Sequence, residues 1–209
     1  GDRAQGLYGA VMASTVATAR IVPLTPARWD DFAALFGRNG ACGGCWCMWW
    51  RLTRREFERG HGHGNRRVFR RIVEAGPPPG LLAYDDGQAV GWCALGPRAE
   101  LPTLGRSRLL KPVDDAPVWS LSCFFVKSGH RRRGLTAALI SAAVEHARRA
   151  GAPALEAYPW ETAERKSTTT VYTGLASTFR RLGFVEVARR APHRPVLRLN
   201  LGRRRRPLS

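Results

Sequence analysis

The chain has 209 residues, 44% hydrophobic and 24% charged, with a formal net charge of +18. That length and balance fit one folded domain with a good core and exclude a low-complexity or disordered chain. No apolar run reaches membrane-spanning length, and residues 7 to 19 lack the charged-then-apolar layout of an export signal.

Of 34 basic residues only 3 are Lys, so arginine-favouring codon usage explains the charge as well as a nucleic-acid partner does. Part of the field would steer an anionic ligand. The five cysteines are odd in number and clustered, which does not resemble a disulfide framework; a reducing cytoplasm is expected. Because the chain begins with Gly1 and Met12 is read as its natural start, residues 1–17 are set apart as a disordered or expression-derived segment. The folded domain is placed at 18–202, and 203–209 form a basic tail.

Ala19 to Leu24 reads as an opening strand. Thr25-Pro26 offers an N-cap and a proline at the first helical position, before an apolar helical face of Trp29, Phe32, Ala33, Leu35 and Phe36. Then comes the chain's most unusual composition, Cys42-Gly43-Gly44-Cys45-Trp46-Cys47-Met48-Trp49-Trp50. With His61 and His63 the C-x-x-C-x-C spacing offers enough ligands for zinc, although strong zinc patterns have two separated pairs. A redox pair at Cys42 and Cys45 lacks a thioredoxin-like βαβ context. The remaining readings make Trp46, Met48, Trp49 and Trp50 a pocket wall or a packed core, with the cysteines as small hydrophobes; these rank first, and no metal is expected.

Leu52 to Ala75 is helical, interrupted at Gly60-His61-Gly62-His63-Gly64 and stopped by Gly76-Pro77-Pro78-Pro79-Gly80. Leu81 to Tyr84 and Gln88 to Leu95 form a hairpin across Asp85-Asp86-Gly87. Pro97 to Pro117 is a basic loop containing several prolines.

Val118 to Val126 reads as a buried strand running into Lys127-Ser128-Gly129-His130-Arg131-Arg132-Arg133-Gly134-Leu135-Thr136. Leu135, Leu139, Ala142, Ala143 and His146 then recur at helical spacing, with Gly151 as the stop. Free N–H groups and the positive dipole end of a helix, set beside arginines, make a pyrophosphate site. Neither the nucleotide-triphosphate loop nor the dinucleotide fingerprint is present. A short strand, Ala154 to Tyr158, and a closing helix, Gly183-Phe184 turn and strand complete the chain.

The run Arg131-Arg132-Arg133-Gly134-Leu135-Thr136 resembles the GNAT N-acetyltransferase signature, Arg/Gln-x-x-Gly-x-Gly/Ala, with Thr136 departing from the usual small residue. The likeness covers roughly Trp119 to Leu201. It implies an α+β fold: a single domain whose mixed, mostly antiparallel sheet splays in a V, with helices on both faces. Acetyl-CoA would lie with its pantetheine along the backbone of Phe124, Phe125 and Val126 and its pyrophosphate on Arg131 to Thr136, and the acetyl group would pass directly to an amine. The resemblance also favours the pocket-wall reading of the tryptophans. It admits a homodimer and no membrane partner.

Two side chains common in the family are missing here. Phe179 stands where many members carry a proton-donating tyrosine, and the strand Trp119 to Val126 holds no glutamate base. Glu156 and Tyr158 share a strand face and are the remaining acid–base candidates. Tyr172 lies seven residues before Phe179 and reads as a packing tyrosine. Two readings compete with catalysis: an acyl-CoA-binding GNAT fold that has lost activity, and a basic nucleic-acid binder, which lacks any helix-turn-helix, zinc-finger or RNA-binding signature.

Overall fold

Seven strands form one sheet in the computed structural model, which describes residues 19–164, 166–167 and 169–202. The expected terminal segments 1–17 and 203–209 lie outside the described residues. In chain order the elements are β1 (Arg20–Pro23), α1 (Trp29–Phe36), α2 (Arg54–Arg59), α3 (His63–Ala75), β2 (Gly80–Asp85), β3 (Gln88–Pro97) and the short α4 (Pro102–Gly105). They continue with β4 (Trp119–Val126), α5 (Leu135–Arg149), β5 (Ala154–Ala157), α6 (Ala176–Arg181), β6 (Val185–Arg189) and β7 (Pro195–Asn200). The spatial order is β1-β2-β3-β4-β5-β7-β6, and only β4 and β5 run parallel.

The sheet separates two cores because strand side chains alternate. Cys93 and Leu95 of β3 join Leu135, Leu139 and Ala143 of α5 on one face. Trp92 and Ala94 join Phe32 and Phe36 of α1 and Phe69 and Val73 of α3 on the other. Helices therefore cover both faces, as the fold class required.

Two details differ from the linear reading. The helical region after Leu52 begins with a capping box, Thr53 with Glu56, and breaks at Gly60 to Gly62, where Gly62 takes φ 75°. One closing strand was expected and two are present. β7 slots between β5 and β6, pairing antiparallel with both.

The sheet opens at β4. This strand pairs with β3 along its whole length, but with β5 only at Trp119, Ser120 and Leu121. At Ser122 the β3 register shifts by one residue, leaving a bulge that bends the strand where β5 departs. The gap beyond Leu121 is the V, and the cavity occupies it.

Candidate active site

A cavity of about 1490 Å³ runs from the arginine turn to the cysteine–tryptophan segment. Such a volume exceeds a usual single-ligand pocket and leaves room for two substrates. At one end, Gly134 caps α5 with φ 77° and ψ −1°, a left-handed conformation that favours glycine. A Cβ there would meet nothing within 4 Å, so backbone angle rather than crowding selects glycine. The first turn of α5 carries no acidic residue, and exposed Arg131, Arg132 and Arg133, just before it, line the cavity with it. Arg131 Nε donates to the Val126 carbonyl at 2.9 Å, tying the turn to the strand.

Residues 122, 124 and 126 of β4 present their backbone groups to the gap, two apart as strand geometry demands. Ser122 O accepts from Trp50 Nε1 at 3.2 Å, and Val126 O accepts from Arg131. The Phe124 N–H, expected to be open for a ligand, instead donates to Tyr172 O at 2.6 Å. The Phe124 side chain is also buried in the α5 core, and Phe125 packs 5.6 Å from Phe36 on the other face.

The tryptophan run divides. Trp46 and Met48 are buried at 3% and 1% exposure in the α1–α3 core and do not line the cavity, which corrects their assignment to the pocket wall. Trp46 stacks on Trp29 and Phe36, as its apolar area requires. Trp49 and Trp50 do line the cavity, together with Phe36, Phe57 and Tyr172. Trp49 meets Phe57 edge-on at 5.1 Å, and Trp50 stacks on Tyr172 at 6.4 Å.

Cys42, Cys45, Cys47 and Cys123 line the same cavity. Among the described residues no group of three or more Cys, His, Asp or Glu is arranged to hold a metal ion. His61 and His63 lie outside the cavity lining. Cys47 Sγ accepts from Trp92 Nε1 at 3.0 Å, while the Cys123 thiol points to its neighbour's carbonyl, Phe124 O, at 4.0 Å. The adjacent Cys123 thiol, then the Trp92 donor and the Arg51 charge, hold the Cys47 thiol below its ordinary range against the opposing effect of burial. The nearness of Cys47, together with burial, pushes Cys123 well up. Burial lifts Cys45 to about 11.

Glu156 and Tyr158 do share a face, but not that of the cavity. They are 1% and 0% exposed, beneath the loop that carries α4. Arg98 and Arg198 grip the Glu156 carboxylate at 3.2 and 2.7 Å, while Tyr158 Oη donates to it at 3.0 Å and lies 2.7 Å from Ser120 Oγ. Burial, then the Glu156 charge, keeps the Tyr158 phenol protonated. Neither residue lines the cavity, so the expected catalytic pair is corrected to a buried structural network.

Phe179 is fully buried between Phe124 and Phe184. Tyr172, seven residues earlier, is not on that helix at all, because α6 starts only at Ala176. The preceding loop closes on itself where Trp160 N–H donates to Gly174 O and Ala176 N–H to Trp160 O. It then leans across the gap and delivers Tyr172 to the cavity. Burial, with nearby Cys123 adding to it, raises the Tyr172 phenol, so its proton stays on. No local pattern marks Tyr172, and Cys123 shows only as a polar member of an apolar strand.

An α+β sheet that parts beside a basic helix N-terminus, over a cavity sized for two ligands, defines the architectural class. The model described as Acetyltransferase (GNAT) family matches residues 46–169, more than half of the chain, and the chain belongs to that family. Similar solved structures include the protein described as histone acetyltransferase HPA2 and related acetyltransferase from Corynebacterium glutamicum, at 18% identity and TM-score 0.51, covering 86% of this chain and 94% of that one. A putative GNAT acetyltransferase from Desulfovibrio desulfuricans has 17% identity and TM-score 0.51, with coverage of 88% and 100%. The paia N-acetyltransferase from Thermoplasma acidophilum, solved in complex with coenzyme A, has 12% identity and TM-score 0.50, with coverage of 88% and 99%. At these identities the likeness is one of fold. No curated protein matches the chain.

Proposed function

We propose that the domain, residues 18–202, transfers an acetyl group from acetyl-CoA to an amine. The observation that carries this reading is one cavity joining the α5 N-terminus and its arginines, the open edge of β4 and an aromatic wall. The Thermoplasma neighbour's complex with coenzyme A supports the same donor. Pyrophosphate would sit at Arg131 to Thr136, where the helix dipole and forked guanidinium donors add. Pantetheine would run along the β4 edge, displacing the Tyr172 carbonyl from the Phe124 N–H, which leaves that N–H free to stabilise charge on the thioester oxygen. The Tyr172 phenol would protonate the departing thiolate in the role Phe179 cannot fill.

The acceptor half narrows the substrate. Phe36, Trp49, Trp50, Phe57 and Tyr172 offer flat apolar faces, and among the described residues no Asp or Glu lines the cavity. A polycation would find no counter-charge there, so an amine on a flat, apolar body fits better.

Calorimetry tests the donor. The parent is expected to bind acetyl-CoA, and Arg133→Glu to bind at least about tenfold more weakly, since one lost charge-assisted bond costs about 1.5–3 kcal/mol before repulsion is added. No binding by the parent would overturn the reading. Turnover of an arylalkylamine should exceed that of spermidine, whereas binding without turnover of any amine would leave an acyl-CoA-binding fold.

A further inference from the structure

Resting on the reading of Tyr172 as proton donor, we propose that Arg194 is its positioning residue: it holds the Tyr172 loop at the cavity and stabilises the phenolate left when the proton passes to coenzyme A. Arg194 stands in the turn between β6 and β7 and does not line the cavity. It therefore acts through Tyr172 and touches neither substrate.

The first observation is a buried cation without a counter-charge. Arg194 is 9% exposed, yet among the described residues no carboxylate pairs with it. Its side-chain hydrogen bond, from Nη1 to Thr173 Oγ1 at 3.3 Å, goes to a neutral hydroxyl. Glu161, whose N–H donates to the adjoining His193 carbonyl, is taken by Arg180 and Arg189. Arginine is rarely buried unless paired, because its charge loses hydration. A cation kept here suits a role that a carboxylate partner would cancel.

The second is what Arg194 grips. Thr173 adjoins Tyr172 and is fully buried. The guanidinium also lies over the Trp160 ring, 4.9 Å from its centroid. Trp160 N–H donates to Gly174 O and its carbonyl accepts from Ala176 N–H, so Arg194 clasps both sides of the loop where it closes. Within the cavity Tyr172 O accepts from the Phe124 N–H of β4, and the ring stacks on Trp50. Tyr172 is thus fixed by β4 and Trp50 on the cavity side and by Arg194 from outside it.

The third is the field at the phenol. Burial opposes its ionisation most, and Cys123 on β4 with Cys45 and Cys47 on the cysteine–tryptophan segment oppose it further. Arg194 is the group that favours the phenolate. Reciprocally, burial pushes Arg194 down and Tyr172 supports its charge. A fixed cation beside a group that becomes negative only during reaction favours the transition state over the resting enzyme.

The proton count closes. The phenol gives its proton to the sulfur as the carbon–sulfur bond of acetyl-CoA breaks, leaving a phenolate beside the guanidinium. The amine nitrogen, now bonded to the acetyl carbon, returns a proton to that phenolate. The products are an amide and free coenzyme A, and the enzyme is restored.

The test follows coenzyme A release with 2-phenylethylamine as acceptor. Glutamine at 194 can still donate to Thr173 but carries no charge, whereas lysine keeps the charge. Arg194→Gln is expected to lower kcat about tenfold and Arg194→Lys no more than about threefold, with KM for acetyl-CoA unchanged in both. Combined with Tyr172→Phe, the glutamine should lower kcat by less than about twofold further, because no phenolate remains for the charge to act on. Arg194→Met, also neutral, repeats the comparison if the glutamine variant fails to fold. The proposal is overturned if the neutral variants keep parental kcat, if lysine falls as far as they do, or if their loss is equal with and without the Tyr172 hydroxyl. Turnover untouched by Tyr172→Phe overturns the proton-donor reading, and a parent that releases no coenzyme A overturns the amine-acceptor reading. Either result takes the proposal with it and is distinguishable from failure of Arg194 alone.

Discussion

Glu156 illustrates how one side chain changes meaning once its neighbours are known. In the sequence it stands two residues before Tyr158 on a short strand, a spacing that suits paired acid–base work. In the fold it lies opposite Ser120 and Arg198 across the two adjoining strands, with Arg98 closing the network from above. Glu156→Ala would leave Arg98, only 11% exposed, without its carboxylate, while Arg198 keeps Asp114. Breaking a buried pair from one side costs about 3–5 kcal/mol, which should appear as a clear drop in melting temperature with acetyl-CoA affinity unchanged. A loss of affinity or turnover without a loss of stability would return Glu156 to the active site. Tyr172→Phe should do the opposite, lowering turnover about 10²-fold or more while the melting temperature barely moves.

At the scale of elements, the loop between β5 and α6 brings a tyrosine, Tyr172, to the cavity. Gly174 takes φ 87°, and a Cβ there would come within 2.8 Å of the Phe179 ring. The ring at 179 and the glycine at 174 therefore pack as a unit, which sets the height at which Tyr172 crosses the gap. Gly174→Ala combines left-handed strain with overpacking against a buried ring and should cost about 1–3 kcal/mol. Hydrogen exchange should rise across residues 171–174, and turnover should fall more than acetyl-CoA affinity. Equal protection in parent and variant would show that the loop is held some other way. Gly134→Ala offers the contrast: it has the same handedness but open space, so a penalty of about 1 kcal/mol is expected.

Over the whole molecule the excess of arginine shapes the response to pH. Arg180, Arg189 and Arg198 hydrogen-bond Glu161, Glu186 and Asp114 and hold each carboxyl below its ordinary range. A carboxyl depressed on folding stabilises the native state above its unfolded value, and that stability disappears as pH falls through the lower, folded value. Melting temperature should thus be flat from neutrality to about pH 5 and fall steeply below about pH 4. Protonating the 16 acidic residues takes the formal charge from +18 towards +34, so added salt should raise the acid-side melting temperature by screening. A melting temperature that rises on acidification would contradict these pairings.

Much of this protein was determined locally. The strand–turn–helix around Gly134 depends on hydrophobic periodicity, a glycine where φ is positive and arginines at a helix N-terminus, all written within about twenty residues. The same holds for the hairpin at Asp86-Gly87 and the break at Gly60 to Gly62, and the strand–turn–helix was enough to indicate the family. Tertiary structure alone decided the other end. Trp46 and Trp49 are three residues apart and chemically identical, yet one fills the core and the other faces the cavity, because left-handed residues turn the chain between them. Cys47 meets Cys123, Tyr172 reaches β4 and Glu156 disappears beneath the α4 loop through contacts between residues far apart in the chain. Periodicity reports which face of an element is apolar; which neighbour covers that face is settled only when the sheet parts and the loops close over it.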